Sequence, residues 1–428
     1  MTGETGFLRR ASPGWALAVL AAISTCGFID RIIMNVLAQP IKEEFALTDT
    51  QVGLVAGLAF AVLNVALGII VARIAERRRR LTLVTIGTFL WSVATLACGA
   101  ASGFFSFALA RVGVGVGEAV GLPATQSVIS DYFPKERRTT AMSVLLLAPP
   151  VGAFLGSAGG ALIAGAYGWR MAFVAAALPG FLLAATLALT VTEPPRGQYD
   201  ALGETADQVP SFWAVVGRIC ERHSFRHMLA GSTIASAVGF GLNAFMAAFL
   251  LRRFGFTVAE AGVTAGLLTS VPATLGVLGA GWLSDRIGRR DARACGFIPA
   301  ISLILAAPIY MLAATRETAA AAIGWLTIAA FVQYTYLAPS QGLFQNMMHP
   351  RMRATSTAVI NAIYSVIGAG VGPLIVGALS DFFAAPGPAG SARGLALALA
   401  VTSAGYLIAS IHFFLATRRI REELVLPL

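Results

Sequence analysis

Four ionisable residues stand inside long apolar stretches: Asp30 and Arg31 in the run GFIDRIIMN, and Arg111 and Glu118 in the run ARVGVGVGEAV. An ionisable side chain at the centre of a membrane span costs at least about 2.5–3.5 kcal/mol, so it marks a functional site by default. Guanidinium stays charged and forks onto carboxylate or phosphate, which makes Arg31 and Arg111 candidates to hold an anionic group. A carboxyl in such a place can carry a proton. Desolvation favours its neutral form and a neighbouring arginine its ionised form. Glu118 is the first proton-coupling candidate and Asp30 the second. Protonating Glu118 would release an arginine partner, which is a switch between two states of a cavity. The plainer reading is that two arginines and two acids only pin helices together. Against it, apolar residues would be at least as stable there.

Spacing supports one shared site. Arg111 and Glu118 are two helical turns apart with Gly115 between them on the same face, leaving room for a substrate or another helix. If the span centres on Glu118, Arg111 lies about 10 Å nearer the outside. Running the other way, the first span puts Asp30 and Arg31 about 5–7 Å outward of its centre. Ser24, Arg31 and Asn35 share one face there. The second half of the chain offers neutral polar residues instead, among them Asn243, Gln333, Tyr334, Asn361 and Tyr364. Asn35, Tyr334 and Asn361 join Arg31 and Arg111 as substrate-binding candidates, though for Tyr334 and Asn361 the plainer reading is helix-packing glue.

These residues require long helices in lipid to position them. The 428 residues are 57% hydrophobic and 12% charged, about half the charge of an ordinary soluble domain. Apolar segments fall near 14–40, 50–72, 82–101, 104–132, 139–164 and 169–191, then 227–251, 259–282, 294–314, 320–346, 355–379 and 393–416. Each is long enough to cross the roughly 30 Å hydrocarbon core. The expected fold is an all-α polytopic membrane protein of twelve transmembrane helices in two six-helix bundles. Residues 1–192 form the first bundle, 193–226 a cytoplasmic linker and 227–428 the second. The linker's aromatic, basic end (Phe212, Trp213, Arg218, Arg222) suits an amphipathic surface helix. The first apolar run is too long for the core of a cleavable signal.

Most of the 31 lysines and arginines fall in loops on one side, including Arg77 to Arg80, Arg137, Arg138, Arg289, Arg290, Arg418 and Arg419. Basic loops stay inside, so both termini are expected to be cytoplasmic, in a plasma (inner) membrane. The same rule accounts for the net charge of +10 without nucleic acid. Cys26, Cys98, Cys220 and Cys295 lack metal or redox spacing, and the four histidines are not arranged for zinc. No cofactor is expected.

The halves are repeats. Pro123, Pro134, Arg137, Gly152 and Gly156 recur at one constant offset as Pro339, Pro350, Arg353, Gly368 and Gly372. The same offset sets Tyr334 in the place of Glu118 and Thr327 in that of Arg111. Parallel repeats of this kind place a binding site near midplane.

The loop Gly281-Trp-Leu-Ser-Asp285-Arg286-Ile-Gly288-Arg289-Arg290 resembles the cytoplasmic signature of the major facilitator superfamily. Its counterpart, Gly68 to Arg77, keeps the first glycine and the basic Arg73 but has Ala72 and Ala75 where the signature has aspartate and glycine. The resemblance implies a gating role for Arg73, Asp285, Arg286 and Arg289, weakened in the N-terminal half. The run from Arg111 to Ala119 resembles the superfamily's buried-arginine motif, and Pro149 to Gly160 its glycine-proline packing motif. Phe28-Ile-Asp30-Arg31 with the Arg111/Glu118 pair is similar to the spinster group, which includes exporters of sphingolipid or lysolipid type in animals, and the resemblance is to its bacterial members.

These readings point to a secondary transporter moving a small or amphipathic anionic solute by alternating access with protons as partner. The alternative is an exporter of small organic anions or drug-like compounds. An embedded enzyme would need a nucleophile, metal cluster or catalytic pair, and none is visible. An ATP-driven pump would need a phosphate-binding loop with lysine, also not found. A receptor would leave the repeat unexplained.

Overall fold

The computed structural model describes residues 12–145, 147–196, 211–288, 290–349 and 352–424, and among them every regular element is helical. Pro13, whose missing N–H costs nothing in a first turn, opens α1 (Pro13–Phe45). Ala46, with φ of 51°, ends it. Thr48 and Gln51 form a reciprocal capping box at the start of α2 (Asp49–Gly53). A π-helical turn, Leu54–Leu58, then leads into α3 (Ala59–Arg77). The first half continues with α4 (Arg80–Gly99), α5 (Phe104–Glu118), α6 (Gly121–Tyr132), α7 (Lys135–Leu145) and α8 (Ala148–Phe154). A second π turn (Leu155–Gly159) precedes α9 (Gly160–Tyr167) and α10 (Trp169–Thr190). The linker yields a short helix, α11 (Phe212–Glu221), which buries Val215 and Ile219 and exposes Phe212 and Trp213.

The second half begins with α12 (His223–Phe254), closed by Gly255 in the left-handed conformation that glycine adopts without cost. It continues with α13 (Val258–Gly288), α14 (Ala294–Thr315), α15 (Ala319–Tyr334), α16 (Leu337–Met347) and α17 (Arg353–Ile363). After a π-helical stretch, Tyr364–Val371, come α18 (Gly372–Phe383), α19 (Pro388–Ser403), α20 (Gly405–Ala416) and the single turn α21 (Ile420–Glu423).

Among the described residues, 11 helical stretches are long and apolar enough to cross a membrane. The remaining expected span, 104–132, is present as α5 and α6, parted at Ala119–Val120. Alone they reach only about 22 and about 18 Å, so the pair must act as one span. Pro123 has no N–H to return to the Ala119 carbonyl, and that is where the helix breaks. Its repeat partner Pro339 has none for Thr335, and α15 and α16 part at Thr335–Tyr336. The repeat therefore reproduces a break as well as a sequence.

The chain forms two compact units. Unit 1 takes the described residues up to Met34 and those from Val62 to the end of α10 and the strand-free segment after it; unit 2 takes Asn35–Ala61 and the described second half. In unit 1, Leu20, Ile23, Val84, Trp91, Val128, Ile129 and Leu187 form a dry core between α1, α4, α6 and α10. Outside it the surface is greasy: Phe105, Leu182 and Leu189 are 85%, 70% and 71% exposed. An exposed apolar belt of this kind belongs in lipid.

The repeated glycines explain how the helices carrying the charged residues are seated. A Cβ on Gly156 would lie 2.8 Å from the Ile29 carbonyl oxygen, and one on Gly152 would meet Phe28 and the Thr25 carbonyl. In unit 2 their counterparts do the same to α12: Gly368 sits against Ser236 and Phe240, and Gly372 against the Ala237 carbonyl. Each pair lets the fifth span of its half lie directly on the backbone of the first.

Candidate functional site

Unit 1 brings all four predicted charges together. Arg31 Nη2 donates to Glu118 Oε2 at 2.7 Å, linking α1 to the last residue of α5; their side chains are 33% and 6% exposed. Gly27, one turn before Arg31, faces the Glu118 carboxyl, and a Cβ there would lie 3.9 Å from its Cδ. The absence of a side chain admits the carboxyl. Glu118 Oε1 is buried with no hydrogen-bond partner among the described residues. Arg111, fully buried, donates from Nη1 to the Asp30 carbonyl at 3.4 Å. Asp30 is 2% exposed, and its carboxylate accepts the Thr95 hydroxyl. Arg111, Glu118 and Arg31 all lie within electrostatic reach of it. The Arg31 guanidinium also lies 5.2 Å from the centre of the Phe28 ring, a cation–π distance. Nearby, Asn64 Nδ2 donates to the Gly115 carbonyl at 3.3 Å, using the bare face that glycine provides.

Unit 2 holds a neutral counterpart. In α12, which the repeated glycines make the counterpart of α1, Asn243 stands one turn beyond Phe240, whose ring lies 3.5 Å from a Cβ built on Gly368. Asn243 Nδ2 donates to Tyr334 Oη at 2.9 Å, and Tyr334 occupies the repeat position of Glu118. First and fourth spans are thus joined in both halves, by an ion pair in one and a neutral hydrogen bond in the other. Beside it, Tyr310 donates to Gln333 Oε1 at 2.5 Å.

The other predicted residues scatter. Asn35 and Tyr334 are half-buried in unit 2, while Asn361 is exposed on α17. Of the gating residues, Asp285 and Arg286 are exposed at the end of α13, with Arg286 5.5 Å from the Trp282 ring centre. The side chain of Arg73 and the whole of Arg289 lie outside the described residues.

Two polar clusters escaped the sequence reading. Arg80, 2% exposed, donates from Nε to Glu193 Oε1 at 2.7 Å and from Nη1 to Asp131. Glu193 also accepts the Leu81 N–H at 2.9 Å, so it caps α4. In unit 2, Asp49 is 2% exposed and pairs in a fork with Arg252, both contacts at 2.6 Å. Lys42 and Ser380 each reach it at 2.6 Å. Asp381 meanwhile accepts the N–H groups of Asp49 and Thr50 at 2.9 and 2.7 Å.

This arrangement, buried charges paired across helix contacts made by repeated glycines, is that of a membrane transporter built from two related halves. Residues 19–373 match the Major Facilitator Superfamily, and the chain belongs to that superfamily. Within it, the chain is similar to the spinster proteins. It is 30% identical to a bacterial homolog of the human lysosomal transporter Spinster, whose crystal structure is inward-facing and unoccupied. That match has a TM-score of 0.90 and covers 97% of this chain and 99% of the other. Protein spinster homolog 1 of Xenopus tropicalis is 27% identical over 386 residues, covering 85% of this chain and 72% of that one. An MFS-type efflux pump of Mycolicibacterium smegmatis is 34% identical over 410 residues, 96% of this chain and 94% of its own.

Proposed function

We propose that this transporter moves an anionic, amphipathic small molecule of lysolipid or sphingolipid type by alternating access, coupled to protons, in the plasma membrane with both termini cytoplasmic. The bodies that move are the halves 1–192 and 227–428, joined by 193–226. The observation carrying this reading is the Arg31–Glu118 pair at 2.7 Å beside fully buried Arg111 and buried Asp30. Arg111 is held by the Asp30 backbone and gives a fixed positive charge. Arg31 is one-third exposed and is the one that can turn. A proton arriving on Glu118 Oε1 neutralises the carboxyl and loosens its grip on Arg31, whose fork then takes the substrate's anionic group. Proton and substrate thereby bind cooperatively. On unit 2, Tyr334, Asn35 and Asn361 are the candidates for contact with the uncharged part of the substrate. Asp285, Arg286, Arg73 and Arg289 are assigned to gating.

The test is reconstituted uptake under an imposed pH gradient, wild type beside Glu118→Gln and Asp30→Asn. Glutamine imitates only the neutral carboxyl. Glu118→Gln should bind substrate with little pH dependence and lose gradient-driven accumulation, while still exchanging substrate for substrate. Accumulation that persists in Glu118→Gln removes this residue from the coupling and passes the role to Asp30. A second reading, export of small organic anions or drug-like compounds, is favoured by the efflux-pump relative at 34% identity. Competition between lysolipid and such compounds in the same assay separates the two.

A further inference from the structure

Three of the chain's four histidines gather in unit 2, near the start of α12 and the end of α20. His223 and His227 lie one turn apart on α12, their ring centres 4.6 Å from each other. His412 on α20 faces His227, Nδ1 to Nδ1, at 3.0 Å. His223 Nδ1 is buried without a partner. Two arginines, Arg226 on α12 and Arg418 just past α20, lie within electrostatic reach of His227. Both are exposed.

The carboxylates on the surrounding elements are engaged elsewhere or turned to solvent. Glu423 accepts the Ser224 N–H at 2.9 Å, and Arg222 donates to its carbonyl at 3.3 Å. Asp291 is paired with Arg421 at 3.1 Å. Glu221, Glu422 and, on α13, Asp285 are exposed. No trio of metal-ligating side chains is assembled among the described residues. What remains is a cluster of cations and titratable rings in search of an anion.

Its position says which anion. The cluster sits where two membrane-spanning helices end, and α11 packs against α12 beside it with Phe212 and Trp213 exposed, as interfacial aromatics are. Basic pockets between spans at the membrane surface bind lipid phosphate. We propose that His223, His227 and His412, with Arg226 and Arg418, form a binding site for the phosphate of an anionic phospholipid in the adjoining leaflet.

The ring geometry adds a pH dependence. At 3.0 Å, one facing Nδ1 must donate and the other accept, so the closed pair exists only while one of the two rings lacks its Nδ1 proton. A phosphate oxygen entering between the rings accepts from both, and its negative charge favours the protonated form of the rings, in which both nitrogens donate. Lipid binding therefore takes up a proton and strengthens as pH falls.

The test uses the full chain in neutral detergent, its unfolding temperature measured with mixed micelles of phosphatidylglycerol or of phosphatidylcholine, at about pH 5.5 and about pH 8. Phosphatidylglycerol should stabilise more than phosphatidylcholine, and more strongly at the lower pH. His412→Gln should diminish the pH-dependent part. Arg418→Gln, a fully surface change that threatens no packing, should weaken the lipid about fivefold. Equal effects of the two lipids overturn the site, as does a pH dependence that is undiminished in His412→Gln. Inorganic phosphate producing the same shift as the lipid overturns the lipid as occupant.

Discussion

The Asp49 cluster permits a prediction worked from geometry. Asp49 and Arg252 have side chains 2% and 7% exposed and share two contacts of 2.6 Å. Removing one member of such a pair leaves a buried charge uncompensated, at a cost of about 3–5 kcal/mol. Asp49→Asn keeps the shape and one acceptor, so its cost should fall near the lower end, about 3 kcal/mol. Arg252→Met leaves Asp49 with Lys42 and Ser380, both at 2.6 Å, and should cost less. In the double variant no buried charge is left alone, apart from Lys42, which is 20% exposed and can turn to water. Its cost should fall short of the sum of the singles by about 2 kcal/mol, within the range seen for contacting residues. Unfolding from mixed micelles, titrated with a denaturing detergent, measures all four proteins. Strict additivity would refute the claim that this fork fastens Asn35–Ala61 to α12 and α18 within unit 2.

Three further outcomes are expected. Gly156→Ala must push α1 away from its seat, because the new Cβ would lie 2.8 Å from the Ile29 carbonyl; a loss of about 1–3 kcal/mol should follow. Gly159→Ala, with nothing within 4 Å, should be harmless, and equal behaviour of the two would dismiss the packing account. Arg111→Ala should abolish substrate binding and Arg111→Lys weaken it by losing the fork; full affinity in Arg111→Ala would reduce Arg111 to a packing role. A cysteine at Gly387 should react with an impermeant thiol reagent on intact cells. One at Asp207, outside the described residues, should not, and the reverse pattern would invert the proposed orientation.

The spans were legible because each apolar segment declares itself, and the charged residues because lipid makes them conspicuous. The buried clusters were hidden for opposite reasons. Arg80 closes a run of four arginines and reads as a solvated loop residue, yet Glu193 and Asp131 draw it inside. Asp49 looks like an ordinary acid at a helix start, and its partner Arg252 is 203 residues away. Thr95 donates to Asp30 from within an apolar span, where a lone threonine carries no signal. Sequence patterns announce a side chain's cost in lipid but not which distant group offsets it.

The repeat does more than halve the folding problem. Both halves seat their fifth span on their first by the same glycines, break their fourth span before the same proline, and join first to fourth through a polar contact. What differs is the chemistry of the joint. Under the proposed coupling, Arg31 with Glu118 weakens when a proton arrives, whereas Asn243 with Tyr334 offers no carboxylate to neutralise. Putting Gln at 118 would make the two joints alike in charge response. A pH response that disappears in Glu118→Gln and returns when Asn243→Arg is combined with Tyr334→Glu would show that the joint itself, wherever the repeat places it, is the proton-sensitive part. If the transplanted pair restores no response, the surroundings that only unit 1 supplies, Asp30 and Arg111, are required as well, and the switch belongs to the four charges together.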